Sequence, residues 1–208
     1  MASLEDYYGN NLLRDYADLP INTPVFQRNR NALKMCILNR VKTHKNVECI
    51  HGHFLPLKYL LLRDTKFVTW MRNPIERLAS HYFYWLRNYN PQNVPLLHRK
   101  VIEEEWSLER FCLGPELRNF YTQFLWAFPF RRFDFIGITE HYKTEIEYFS
   151  NKFLGTTLQT HSKNINPKND NTTYFKDKNL RAKVEQYHSK DVSLYKRALN
   201  IRLIMRCT

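Results

Sequence analysis

Short apolar runs that alternate with helix-periodic stretches are the feature of this 208-residue sequence that most restricts its fold. The runs are 46–50 (NVECI), 66–71 (KFVTWM) and 133–138 (FDFIGI), each bounded by polar or turn residues. Such runs predict buried strands, and strands that alternate with helices predict parallel β-α-β units. Because the length suits one domain with a full core, we expect a single α/β domain over residues 1–208.

The clearest helix signal follows the second run. Asn73 is a suitable N-cap, Pro74 suits the first helical position, and Glu76 completes the spacing of a capping box. Ser80 lies on a polar face of this predicted helix. The apolar stripe at helical intervals is formed by Ile75, Leu78, Ala79, Tyr82 and Leu86.

Helical periodicity recurs in two later regions. Residues 116–126 predict one helix, and the C-terminal region predicts two amphipathic stretches. The inward positions are Leu117, Phe120, Tyr121, Phe124 and Leu125 in the first region, then Leu180, Val184 and Tyr187, and finally Val192, Tyr195 and Leu199. Segments 88–105 and 156–176 are polar and lack a clear period, so we predict surface loops there; the stretch 14–33 also reads as irregular.

Glycine is scarce and scattered along the chain. The five glycines are Gly9, Gly52, Gly114, Gly137 and Gly155, and no two of them are close together. A dinucleotide-binding fingerprint and a Walker-type phosphate loop both need clustered glycines for close backbone approach, so the sequence excludes both. Any phosphate site must therefore form without a glycine-rich cradle.

The formal net charge is +12, from 32 Lys and Arg against 20 Asp and Glu. This surplus indicates either a polyanionic partner (nucleic acid, an acidic glycan, a phosphorylated cofactor or an anionic membrane surface) or a solvated basic surface. The four cysteines are far apart and predict idle thiols rather than a zinc site or a disulfide scaffold. We find no apolar run of membrane-spanning length and no signal peptide, so we expect no integral membrane segment and, for a bacterial chain, a cytoplasmic location.

Polar residues follow each predicted strand. The first strand ends in His51-Gly52-His53, the second in Arg72-Asn73-Pro74 and the third in Thr139-Glu140-His141. In parallel α/β sheets, ligands bind beyond the carboxyl ends of the strands. A helix start favours anions through its free N–H groups and its dipole, and Arg72 adds a planar fork suited to phosphate or sulfate. Ser80 could donate a hydroxyl hydrogen bond to the same anion.

Structural roles remain open for each of these side chains. Arg72 could pair with a carboxylate, and Ser80 could bond to a helix carbonyl. His51 and His53 point the same way along an extended segment, but two histidines at this spacing supply only half of a metal site, so we expect no metal. A histidine beside glycine at a strand end, opposite an anion site, is a candidate general base.

Several segments of the sequence resemble those of a known family. FVTWMRNPIERLASHYFYWLRN (67–88) is similar to the 3′-phosphate-binding segment of sulfotransferases that use 3′-phosphoadenosine 5′-phosphosulfate (PAPS), whose pattern is R-[DN]-P-x-x-R-x-x-S-x-Y after a strand. HGHF (51–54) resembles the HGH segment of uronosyl 2-O-sulfotransferases and their bacterial relatives. FDFIGITEHYKTEIEYF, LRNFYTQFLW and, more weakly, HSKNINPK (161–168) extend the resemblance over about Asp6 to Leu199.

The resemblance implies a fold, a reaction and three site residues. The fold would be the P-loop NTPase-like sulfotransferase fold, a three-layer arrangement of a parallel sheet with flanking helices, missing its first strand. Arg72 and Ser80 match the positions that hold the 3′-phosphate of PAPS, and His53 matches the general base. The expected reaction moves a sulfuryl group from PAPS to a hydroxyl, on a carbohydrate, so the expected partners are PAPS and a glycan acceptor.

One departure from the family affects activity. The family begins with a strand and a 5′-phosphosulfate-binding loop of the H-x-P-K-T-[GA]-[GA]-[TS]-S type, and no such loop occurs here. We therefore expect a domain that is N-terminally truncated relative to the family, and leave open whether it is an enzyme. The alternative is a non-catalytic relative that binds an anionic glycan or nucleotide. A nucleic-acid-binding module is a third, weaker interpretation, because the aromatic residues fall mostly at predicted core positions.

Overall fold

The computed structural model describes residues 2–18, 23–41, 46–158 and 174–207. These residues form nine α-helices and four β-strands, besides short 3-10 and π-helical segments. They are α1 (Ala2–Tyr8), β1 (Leu12–Asp15), α2 (Val25–Val41), β2 (Cys49–Gly52), β3 (Phe67–Met71), α3 (Pro74–Arg87), α4 (Leu96–Glu103), α5 (Leu108–Leu113), α6 (Phe120–Phe124), β4 (Phe133–Ile138), α7 (Tyr142–Phe149), α8 (Lys178–Tyr187) and α9 (Ser189–Cys207).

The chain divides into two compact units, which are described separately. Unit 1 comprises Met1–Trp70 and Phe124–Asn169, and unit 2 comprises Met71–Gln123 and Asp170–Thr208. Unit 1 contains most of the sheet structure, and unit 2 is built mainly from α3, α4, α5, α8 and α9. The expectation of one domain over residues 1–208 stays a prediction.

The strands form two small parallel sheets, β1 with β2 and β3 with β4. The β1–β2 register pairs Leu12 with Cys49 and Asp15 with Gly52. Glycine is required at position 52, because a Cβ atom there would lie 1.7 Å from the carbonyl oxygen of Asp15. The α/β class predicted from the sequence is confirmed. Of the predicted strands, 66–71 and 133–138 match β3 and β4 closely, and 46–50 overlaps β2.

Aromatic rings fill the core beside the β3–β4 pair in unit 1. The Trp70 ring centroid lies 5.5 Å from that of Phe135, and Phe149 packs 5.5 Å from Phe135. Gly137 of β4 makes room for the indole, because a Cβ there would lie 2.4 Å from Trp70. A second core of Ala32, Cys36, Leu55 and Leu57 packs α2 against the segment that follows β2.

Helix α3 organises the core of unit 2 and begins where the sequence predicts. Asn73 caps its first turn, Pro74 occupies the first position, and the apolar face is buried. One position of the predicted stripe is wrong: Leu86 is exposed, and Trp85 is buried in its place. Trp85 stacks on His98, and the buried face of α3 packs against Phe111.

Several segment boundaries differ from the sequence prediction. The helix expected over residues 116–126 is wrong: only Phe120–Phe124 is α-helical, because Asn119 adopts a left-handed backbone conformation (φ 49°). The predicted loop 88–105 contains α4, and the irregular stretch 14–33 contains the start of α2. The C-terminal prediction of two helices is confirmed by α8 and α9. Within the described ranges, no helix combines the length and apolar character needed to cross a bilayer.

Candidate functional site

Arg72 lies in unit 2 between β3 and α3, and one tyrosine holds its backbone. The Arg72 N–H donates to the Tyr121 hydroxyl (3.0 Å), and that hydroxyl donates to the Arg72 carbonyl (3.1 Å). The side chain is half-buried. Among the described residues, the Arg72 guanidinium has neither a hydrogen-bond acceptor nor a carboxylate within ion-pair distance. The described residues therefore offer no carboxylate for the alternative in which Arg72 forms a structural ion pair.

The first turn of α3 differs from the expectation of free N–H groups. Asn73 Oδ1 accepts hydrogen bonds from Ile75 N (3.0 Å) and Glu76 N (3.3 Å), and the Asn73 carbonyl accepts from Arg77 N. Pro74 has no N–H to offer. The amides at this helix start are thus satisfied by the cap, so an anion here would depend on side chains and on the helix dipole.

Ser80 lies on a face of α3 that Tyr174 covers. The Tyr174 hydroxyl donates to Ser80 Oγ (3.4 Å), its ring stacks on Phe83 at 5.6 Å, and its N–H donates to Glu76 Oε2. Arg181 forms an ion pair with the same Glu76 carboxylate, which neutralises the acidic group on this face. Ser80 accepts from Tyr174 and keeps its own proton, so its hydroxyl can still donate to an anion. No bond from Ser80 to a helix carbonyl is found within the described ranges.

A second arginine of α3, Arg77, approaches the same tyrosine that holds Arg72. Its guanidinium carbon lies 4.8 Å from the Phe120 ring centroid and 4.9 Å from that of Tyr121. Its Nε is buried and has no hydrogen-bond partner in the part of the chain that the structure describes. Two arginine residues therefore converge on Tyr121 in unit 2. No sequence signal indicates this role of Arg77, since the position of the aromatic rings depends on the irregular turn at Asn119.

His53 lies in unit 1, directly after β2, and its side chain is exposed. Its ring centroid is 5.4 Å from that of Tyr16 and 6.3 Å from that of Phe124. Desolvation lowers the pKa of His53, so the ring is neutral at pH 7. No described residue hydrogen-bonds to the imidazole, which leaves a nitrogen lone pair available to accept a proton. Burial also lowers the pKa of the neighbouring His51.

A buried ion cluster fixes the segment that contains His53. Lys58 Nζ lies 2.7 Å from Asp18 Oδ2 and 3.1 Å from Asp15 Oδ2, and all three side chains are almost fully shielded from solvent. Asp18 Oδ2 also accepts from Leu55 N (2.9 Å), and the Asp18 N–H donates to the His53 carbonyl (3.4 Å). No local sequence signal indicates this cluster, because Asp15 and Asp18 lie in the stretch predicted to be irregular and Lys58 is distant along the chain.

The three predicted site residues are divided between the two units. Arg72 and Ser80 belong to unit 2 and His53 to unit 1, so the surroundings of each are described within its own unit. The segment 161–168, matched weakly to a nucleotide-contacting loop, lies outside the described residues. In the described ranges, no group of three or more His, Cys, Asp or Glu residues is arranged to hold a metal ion.

No family model, curated protein or solved structure matches this chain. The resemblance to sulfotransferases therefore depends on sequence motifs alone.

Proposed function

We propose that this chain is a sulfotransferase domain that moves a sulfuryl group from PAPS to a hydroxyl of a carbohydrate. The observation that supports this most is the Arg72 guanidinium, which is half-buried at the start of α3 and has no carboxylate partner among the described residues. Withdrawing an unpaired cation from water is costly, and a bound anion is the usual compensation. A terminal phosphate matches the planar fork of arginine.

Arg72 and Ser80 are the proposed ligands of the 3′-phosphate. Arg72 supplies charge and paired N–H donors, and its backbone is fixed at both polar groups by Tyr121. Ser80 supplies one hydroxyl donor, oriented by the bond that it accepts from Tyr174. These residues fit a phosphate dianion, which needs several hydrogen-bond donors and nearby positive charge and is repelled by carboxylates. The nearby Glu76 is already paired with Arg181.

His53 is the proposed general base. PAPS supplies the sulfuryl group: a bond forms between the acceptor oxygen and sulfur as the bond between sulfur and the 5′-phosphate oxygen breaks. The acceptor hydroxyl loses its proton to the neutral His53 ring, and the products are the sulfate ester and 3′,5′-adenosine bisphosphate. A lowered pKa keeps His53 in the proton-accepting form at neutral pH. No metal is required for this step.

The family's loop lysine has no counterpart in this sequence, which predicts slow turnover. In the family, that lysine and the loop amides bind the 5′-phosphosulfate, and the lysine stabilises the sulfuryl group as it is transferred. Losing one such electrostatic group costs about 2–4 kcal/mol of transition-state stabilisation. We therefore propose that the chain alone transfers sulfate slowly and that an added loop raises the rate about a hundredfold or more.

The finer fold belongs to the same proposal. We infer that the two parallel pairs, β1–β2 and β3–β4, correspond to parts of one three-layer, P-loop NTPase-like sheet. Two-stranded sheets rarely stand alone, which supports one larger parallel sheet of the sulfotransferase type that contains both pairs.

Labelled-sulfate transfer from PAPS to mixed polysaccharides tests the proposal. The assay compares the chain, the chain with a phosphosulfate loop added at its N-terminus, and the His53→Gln variant of both. His51→Gln is the matched control, since His51 lies two residues away and also has a lowered pKa. We expect the chain to transfer sulfate and the added loop to increase the rate. His53→Gln should abolish the transfer, and His51→Gln should leave it unchanged. Tight binding of 3′,5′-adenosine bisphosphate with no transfer by any of these proteins would instead identify a non-catalytic binding protein.

A further inference from the structure

The outward face of α2 contains larger apolar side chains than its inward face does. Phe26 is 79% exposed, Ile37 68% and Leu33 47%, whereas the buried positions include the small Ala32 and the polar Arg28. Most amphipathic surface helices have the opposite arrangement, with large apolar residues against the core. The core of unit 1 therefore does not account for the apolar residues on this face.

These apolar residues form a stripe along α2, with cations on both sides of it. Phe26, Leu33 and Ile37 are spaced i, i+7 and i+11, which places them on one line of the helix. Arg30 and Lys34 lie along one side of the stripe, and Arg40 lies along the other. All three are exposed, and none forms an ion pair with a described residue. Helix α2 has no acidic residue in its sequence VFQRNRNALKMCILNRV.

We propose that this α2 face, made of Phe26, Leu33, Ile37, Arg30, Lys34 and Arg40, docks on an anionic lipid bilayer surface. An apolar stripe with flanking cations suits a helix that lies in the membrane interface, with the stripe among the acyl chains and the cations beside the headgroups. This is peripheral attachment, which needs no membrane-spanning helix. Membrane binding would also account for part of the net charge of +12, which exceeds what one nucleotide site needs.

Charge favours a lipid surface over a second copy of the chain. A symmetric dimer through this face would bring the Arg30, Lys34 and Arg40 of both copies together, and like charges across an interface are unfavourable. The net charge of +12 adds long-range repulsion between copies. An anionic bilayer instead pairs every cation of the face and removes the exposed apolar side chains from water.

Co-sedimentation of the full chain with vesicles measures this directly. Vesicles of phosphatidylcholine and phosphatidylserine are compared with vesicles of phosphatidylcholine alone. We expect binding to the anionic vesicles only, weakened by added salt. Ile37→Ser and Phe26→Ser each lower the affinity about tenfold through lost apolar burial, and Lys34→Gln lowers it about fivefold. Because these side chains are exposed, the substitutions leave the fold intact.

Matched controls distinguish binding by the α2 face from non-specific binding through other exposed residues. Leu96→Ser removes a leucine that is 80% exposed in α4, and Lys190→Gln removes an exposed cation of α9. Both are expected to bind like the parent. The proposal is overturned if Phe26→Ser and Ile37→Ser sediment like the parent, or if both vesicle types bind equally. A parent dimer in sedimentation equilibrium that Ile37→Ser converts to a monomer would also overturn it, since a second copy would then cover the stripe.

Discussion

The hydroxyl of Tyr174 donates a 3.4 Å hydrogen bond to Oγ of Ser80, so the serine proton points away from that bond. If Ser80 donates this proton to the 3′-phosphate, Ser80→Ala removes one charge-assisted hydrogen bond. We predict about tenfold weaker binding of 3′,5′-adenosine bisphosphate in isothermal titration. Tyr174→Phe keeps the stack on Phe83 and removes only the orienting hydroxyl, so we predict a loss of about threefold.

Ser189→Ala is the control for this comparison, because Ser189 is an exposed serine at the start of α9 in the same unit. It should bind the nucleotide like the parent. Unchanged affinity in Ser80→Ala would remove Ser80 from the site.

The buried Lys58–Asp18 pair should contribute strongly to stability. Lys58→Met removes the cation that pairs with both Asp15 and Asp18 in a shielded environment, and only Asp18 keeps an interaction with the charge of Arg28 among the interactions described for these two carboxylates. We predict a decrease in the free energy of unfolding of about 3–5 kcal/mol, measured by urea denaturation. Lys66→Met breaks the exposed pair with Asp134 and should change stability by less than about 1 kcal/mol. Similar effects of the two substitutions would contradict the assigned burial of Lys58.

His188 should make stability fall at mildly acidic pH. Its Nδ1 accepts from Asn119 N (3.1 Å) and its Nε2 lies 2.7 Å from the Cys112 carbonyl, so the ring is neutral with the proton on Nε2. Burial lowers the pKa of His188 below its unfolded value of about 6.5. Between those two pKa values the unfolded chain binds more protons, so stability is complete above about pH 6.5 and decreases below it.

The measurement for His188 is urea unfolding at a series of pH values. Replacing His188 with Gln should reduce the pH slope below pH 6.5 by up to about 1.4 kcal/mol per pH unit, which corresponds to one proton. The pH slope of the parent's unfolding free energy has contributions from more than one histidine. The pKa of His81 is also lowered, by burial and then by the Arg77 charge, to about 4. An unaltered slope in His188→Gln would show that this ring does not titrate with unfolding.

Gly52→Ala should disrupt the β1–β2 pair. Its Cβ would lie 1.7 Å from the Asp15 carbonyl oxygen, so the backbone of β1 must move. We predict a loss of more than about 3 kcal/mol in the free energy of unfolding. Gly9→Ala is the matched control, since its Cβ meets open space and only the left-handed backbone (φ +50°) opposes it, at about 1–2 kcal/mol. Equal losses would contradict the close strand approach.

Local sequence signals predicted the parts of the fold that depend on neighbouring residues. Asn73, Pro74 and the apolar spacing of α3 act within one helix, so the helix start and its buried face could be read from the sequence. The apolar runs 66–71 and 133–138 likewise predicted β3 and β4. Strand β1 was missed, because LLRD is half polar and its pairing with β2 is the feature that makes it a strand.

Long-range polar contacts explain what the sequence could not reveal. Asp191 of α9 accepts hydrogen bonds from Tyr121 N and Thr122 N, so the start of α6 is set by a carboxylate about 70 residues away. The same irregular turn places the Tyr121 hydroxyl against the backbone of Arg72. The sequence predicted Arg72, Ser80 and His53 as site residues, whereas the tyrosines that bond to Arg72 and Ser80 depend on tertiary contacts.

The central claim is that Arg72 binds a terminal phosphate, and isothermal titration with 3′,5′-adenosine bisphosphate tests it most directly. Arg87→Met is the control, because Arg87 is an exposed arginine in the last turn of the same helix. The account predicts that the parent and Arg87→Met bind alike, and that Arg72→Met binds at least about tenfold more weakly. Equal binding by the parent and Arg72→Met would contradict it.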